Sequence, residues 1–188
     1  MEGDKMTFRS HILLGVIAGY SLSYMPNIVP YSEAEIFSML GIVALGAVAP
    51  DVDEPNSYIG KKLPIFSHFV SGLFGHRGFT HFLLFPILLL LGGIYFFPSY
   101  KEYIYAFCFG VFMHQVGDML TKSGIPSYFF PFSYGPLKHK AVLLPYPLRL
   151  KTGGKVEMFI VLPLLFACLM FMLWGKYGSI ITTQIGRI

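Results

Sequence analysis

Five apolar runs divide the chain, at residues 10–25, 35–49, 80–97, 103–120 and 156–174, and four of them stop at a proline or glycine: Pro26, Pro50, Pro98 and Gly175. A full membrane span takes roughly 20 apolar residues, so these runs read as membrane helices. The first two are short enough to be tilted, re-entrant or packed inside the bundle. Composition points the same way. Charged residues make up 13% of the 188 positions, where a soluble domain carries about a quarter, and the mean hydropathy is +0.61. The expected fold is all-α: a polytopic membrane helix bundle of about five spans, forming one domain over residues 1–188. The first run follows Lys5 and Arg9 but holds His11, Ser21 and Ser23 and ends at Met25-Pro26 with no small-residue cleavage pattern, so it reads as a retained helix. Cys108 and Cys168 lie inside apolar runs and read as small buried residues.

Orientation follows from lysine and arginine, which collect on the cytoplasmic side of short loops. With five spans and the N-terminus inside, the inner side holds Lys5, Arg9, Lys61, Lys62, Arg77, Lys122, Lys138, Lys140, Arg149, Lys151 and Lys155. The outer side holds only Lys101, Lys176 and Arg187. The chain is therefore expected in the cell (cytoplasmic) membrane, with its N-terminus in the cytoplasm. The inner loops, 51–79 and 121–155, are the long ones, and function concentrates on such loops. They are also apolar. Residues 63–74 carry Ile65, Phe66, Phe69, Val70 and Leu73 at helical spacing, which predicts an amphipathic helix in the membrane interface. The aromatic segment 128–134 is expected at headgroup level. Anchoring, or lining a path for a lipid-like substrate, would both suit these segments. The basic residues are spread over membrane-facing loops, which argues against nucleic acid as a partner and for membrane lipids.

On this topology the metal-capable side chains gather at the inner face. His11 opens the first span, Asp51 and Asp53 follow the second, His76 and His81 precede or open the third, His114 and Asp118 close the fourth, and Glu157 opens the fifth. The orientation was set from lysine and arginine, so this agreement is independent of it. His114 and Asp118 are four apart and share a helix face. Asp51 and Asp53 stand between Pro50 and Pro55, and His76 and His81 flank a turn at Gly78. His68 and His139 stand outside the motifs. Ionisable groups in spans face a partner or a wet cavity. Mixed imidazole and carboxylate ligands suit zinc first, with manganese or iron as alternatives. The candidate ligands are His11, Asp51, Asp53, His76, His81, His114 and Asp118, enough for two or more ions. The competing reading is a buried hydrogen-bond network or proton relay. Arg77, between the two histidines, can clasp a phosphate with two hydrogen bonds or pair with Asp51 or Asp53. Glu157 and Asp53 are candidates to take a proton from water, and Glu157 equally fits a helix N-terminal carboxylate.

Pro50-Asp51-Val52-Asp53, then His76-Arg77-Gly78-Phe79-Thr80-His81, then His114-Gln115-Val116-Gly117-Asp118-Met119-Leu120-Thr121 resemble the family of membrane-bound, predicted metal-dependent hydrolases, the YdjM-like group of inner-membrane proteins. The resemblance runs from His11 to about Glu157 and implies a metal site in the membrane. A looser similarity, through His114 and Asp118, is to zinc-dependent phospholipase C. The tryptophan ligand of those enzymes has no counterpart, since the one tryptophan is Trp174, and no histidine stands four residues before Glu157. These readings together predict a divalent-metal-dependent hydrolase of a phosphoester, such as a phospholipid headgroup. A structural metal site and a metal or proton transporter are the alternatives. The near absence of ionisable groups in the outer halves of the spans argues against a transporter.

Overall fold

The computed structural model describes residues 7–24, 32–132, 140–151 and 153–185. Lys5, Met25, Pro26, Lys138, His139, Arg187 and the last two residues of the 128–134 segment lie outside them. Among the described residues seven α-helices carry the fold: α1 (Phe8–Leu22), α2 (Glu33–Gly46), α3 (Tyr58–Lys62), α4 (Pro64–Phe74), α5 (Leu84–Phe96), α6 (Lys101–Met119) and α7 (Leu162–Ile185). Strands are absent from this set; two isolated bridges, Thr121 to Leu150 and Ile125 to Ala141, tie down the loop after α6.

Local chemistry explains several boundaries. α2 starts two residues earlier than the apolar run because Ser32 and Glu35 form a capping box, which satisfies helix donors that have no partner further back in the chain. It stops at Gly46, and Pro50 sits in the following 3₁₀ turn, Ala49–Asp53. The third run is helical only from Leu84, since residues Phe79–His81 form a separate 3₁₀ turn. α7 opens with a π-helical turn, Glu157–Val161, and continues past the expected stop at Gly175 to Ile185. The amphipathic segment is helical over Pro64–Phe74, as its spacing predicts.

Side-chain contacts give the helix directions. Ser10 bonds Glu157 while Tyr24 bonds the Met172 carbonyl, so α1 and α7 run parallel. Gly15 lies against Ala47 and Gly19 against Leu40, so α2 runs against α1. His11 stacks on His114, at the start of α1 and the end of α6. The alternation matches the expected up-and-down course and brings the polar residues to one end.

The number of full spans is a correction. Two helical stretches, Ala34–Asp53 and Glu157–Gly178, are long and apolar enough to cross a membrane. A third is reached if Leu84–Phe96 and Pro98–Met119, bent by 119°, count as one broken span. Five full spans are not evident. The physical reason is length and polarity. The 15 residues of α1 make about 22 Å of helix against a hydrocarbon core of about 30 Å. α5 is shorter still at 13 residues, and α6 carries His114, Gln115 and Asp118 in its last two turns.

Glycines set the closest crossing. A Cβ on Gly46 would fall on the Phe107 carbonyl, and one on Gly110 on the Val43 carbonyl. Small residues let membrane helices approach backbone to backbone. This crossing of α2 and α6 lies one turn from His114 and next to Ala47, so it sets the position of the polar cluster.

Candidate metal centre

His114 Nδ1 lies 2.7 Å from the Ala47 carbonyl oxygen. A carbonyl only accepts, so Nδ1 carries the proton and Nε2 presents its lone pair inward. The contact exists because Gly46 and Gly110 let the two backbones meet. His81 is oriented in the same manner: its Nδ1 is 3.0 Å from Asp53 Oδ2, and the Thr80 hydroxyl donates to that oxygen at 2.7 Å. The other Asp53 oxygen takes His76 Nδ1 at 3.1 Å. Backing of a histidine by a carboxylate or carbonyl is the usual second layer of a metal ligand.

The inward atoms converge. His81 Nε2 is 3.2 Å from His114 Nε2 and 3.3 Å from Asp118 Oδ2, and His114 Nε2 is 3.8 Å from Asp118 Oδ2. Bonds of about 2.0–2.1 Å at a tetrahedral ion put its ligand atoms about 3.3–3.4 Å apart, so two edges of this triangle already have that length. Asp51 Oδ1 is 3.8 Å from His114 Nε2. Two groups of metal-capable side chains share His114: Asp51 with His81 and His114, and His11 with His114 and Asp118. The His11 and His114 rings stack at 3.8 Å and 17°. The His81 and His114 rings meet instead at 68°. His11 is buried, with its Nε2 3.7 Å from Asp118 Oδ1 and its Nδ1 without a hydrogen-bond partner. The donor set and its backing fit a divalent cation.

Electrostatics agree. His81 lies in the turn ahead of α5, outside the spanning stretches. Burial pushes its imidazole down, but hydrogen bonds to Asp118 and Asp53 outweigh burial and raise it to about 9. The two carboxylates thus favour positive charge at this position. Arg77 supplies a second positive charge. Its guanidinium donates to Asp118 Oδ1 at 2.8 Å and to the Gly124 carbonyl at 2.6 Å, and its φ of 56° is a left-handed value uncommon for a residue with a side chain.

Five of the seven expected ligands therefore come together: His11, Asp51, His81, His114 and Asp118. Asp53 and His76 stand one layer out, with His76 31% exposed. Arg77 faces Asp118, where the sequence suggested Asp51 or Asp53. Glu157 belongs to neither group. It accepts from Thr7 N, the Thr7 and Ser10 hydroxyls and Gly153 N at 2.7–3.0 Å, and so pins the start of α7 to the start of α1. His68 is exposed on α4. Sequence reading overlooked Thr80 and Gln115. Gln115 donates to the Phe82 carbonyl at 3.0 Å and accepts from the buried Tyr128 hydroxyl at 3.3 Å, which holds the His81 turn against α6. A buried amide beside His114 was the available signal.

Fold and site define a helical membrane protein with a buried His–Asp cluster at one end of its bundle. The chain belongs to the YdjM inner membrane protein family, whose pattern it matches over residues 6–179. It is 31% identical over 162 residues to the uncharacterized protein YvsG of Bacillus subtilis, covering 86% of this chain and 91% of that one. It is 28% identical over 128 residues to the inner membrane protein YdjM of Escherichia coli, covering 64% of each. No solved structure matches.

Proposed function

We propose that this protein is a divalent-metal-dependent hydrolase acting on a phosphoester, such as a phospholipid headgroup, at the cytoplasmic face of the cell membrane. The observation that carries the reading is the triangle of His81 Nε2, His114 Nε2 and Asp118 Oδ2, two of its members held from behind by Asp53 and Ala47. These three would hold the ion, with Asp51 beside them, and zinc suits the mixture of imidazole and carboxylate. A bound ion of this kind acidifies water and polarises a phosphoryl oxygen. Asp53 fixes the ring of His81, and Arg77 balances the charge of Asp118. His11, in van der Waals contact with His114, has a buried nitrogen with which to hold a proton near the reacting water.

Each of His81 and His114 has one nitrogen left for an ion, and the two groups that share His114 leave room for one ion or two per chain. The test is elemental analysis of detergent-purified protein beside His114→Ala/Asp118→Ala, followed by a phospholipid and phosphoester screen. Near-stoichiometric zinc, manganese or iron that disappears in the double variant, with turnover lost in parallel, supports the reading; no bound metal after reconstitution with each ion removes it. One observation favours a structural metal instead: His81, His114 and Asp118 are 0–2% exposed, as in closed sites. In that case chelation lowers the melting temperature while no substrate turns over.

A further inference from the structure

α4 presents three different faces. Ser67 and Val70 are buried against the Ala49–Asp53 turn side of the molecule, at 0% and 8% exposure. His68 and Gly72 are exposed and carry no large apolar group. Between these sectors Ile65, Phe66, Phe69 and Leu73 fall within about 100° of arc at 3.6 residues per turn, and they are 88%, 54%, 62% and 61% exposed. Nothing among the described residues covers this arc. A helix of 11 residues is about 17 Å long and cannot cross a hydrocarbon core of about 30 Å. Lys61 and Lys62, both exposed, stand at the end of α3 immediately before it.

We propose that α4 lies in the plane of the membrane with its Ile65–Phe66–Phe69–Leu73 arc seated at the headgroup–acyl boundary of an anionic bilayer, Lys61 and Lys62 meeting the lipid phosphates. Three features select lipid over a protein partner. The same chain carries spanning helices, so a bilayer surface is always beside this end of the bundle. The order of sectors, core then apolar then polar, is that of an interfacial helix, which needs one side wet and one side in lipid. The lysines supply attraction that falls off within a Debye length of an anionic surface. α4 ends one residue before Gly75-His76, and His76 is the exposed histidine on Asp53. On the metal reading, which this last consequence rests on, the seat of α4 puts the His76 side of the cluster beside the lipid headgroups.

The full chain reconstituted in vesicles tests the seat of α4, with or without metal. In a Trp174→Phe background, Phe69→Trp and Leu73→Trp probe the arc and His68→Trp the polar sector. The expected result is that lipids brominated on the acyl chain quench the two arc probes several-fold more than they quench His68→Trp, while iodide shows the reverse order. Lys61→Glu/Lys62→Glu is expected to weaken arc quenching in vesicles containing phosphatidylglycerol and leave it unchanged in phosphatidylcholine. Iodide reaching the arc probes as freely as His68→Trp overturns the proposal. Shielding from both quenchers also overturns it, and then indicates a second copy or another protein on the arc. Equal quenching with and without the lysines in anionic vesicles overturns the charge assignment. Absence of bound metal would remove the hydrolase reading and leave these outcomes unaffected.

Discussion

An imidazole offers two nitrogens, and in His81 and His114 one of them is occupied by Asp53 Oδ2 and by the Ala47 carbonyl respectively. This restricts the cluster more than its residue count does: of seven possible ligands in the sequence, Asp53 and His76 stand behind the five that come together. On the metal reading Asp53 is a positioning residue. Asp53→Ala removes the acceptor for His81 Nδ1, His76 Nδ1 and the Thr80 hydroxyl, and metal affinity is expected to fall about 10- to 100-fold, the range for lost backing of a metal ligand, with stoichiometry unchanged. Isothermal titration with zinc measures both quantities; loss of an equivalent altogether would make Asp53 a ligand. The residue types were legible in the sequence because His and Asp in apolar runs have few reasons to be there. Which nitrogen faces inward was not, because it depends on a main-chain oxygen, that of Ala47, 67 positions away from His114. Glu157 shows the converse: a carboxylate of suitable position is held by Thr7, Ser10 and Gly153, partners that no spacing rule reveals.

At the scale of elements, the crossing of α2 and α6 decides whether the cluster exists. Gly46 and Gly110 meet where a Cβ would collide with carbonyl oxygens rather than with the flexible end of a side chain. Gly110→Ala is accordingly expected to force the helices apart at a cost of about 1–3 kcal/mol, the usual scale of overpacking. The separation would break the His114–Ala47 bond, so a lower melting temperature in detergent should come with reduced metal content. Unchanged metal content in a destabilised variant would uncouple the crossing from the site. The apolar runs located α1, α2, α5 and α6 within a few residues, since lipid-facing helices announce themselves by composition, while α7 runs on past its expected stop at Gly175. They did not reveal the short turns at Ala49–Asp53 and Phe79–His81. Those turns place Asp51, Asp53 and His81, and they arise where Pro50 and the Gly78 turn interrupt helix that hydrophobicity alone would continue. The same polar turns explain why counting apolar residues gave about five spans where length and composition support two or three.

For the whole molecule, the alternating helix directions put Lys101 and Asp118 at opposite ends of α6, 19 residues long and so about 28 Å from end to end. If α6 crosses the membrane, these two ends report opposite compartments, whichever side faces the cytoplasm. Lys61, Lys62, Lys122, Lys140, Arg149 and Lys151 all lie toward the cluster end, while Lys101 lies at the far end; since cytoplasmic loops carry the excess of Lys and Arg, the cluster end is expected in the cytoplasm. In a Cys108→Ala/Cys168→Ala background, Lys101→Cys is expected to react with a membrane-impermeant maleimide in intact cells. Lys122→Cys, which follows the end of α6, is expected to react only after the membrane is opened. The opposite pattern would turn the metal cluster outward, where substrate would come from outside the cell. Labelling of both cysteines in intact cells would mean that α6 does not separate the two compartments, and α5 with α6 would then form a re-entrant pair on one side.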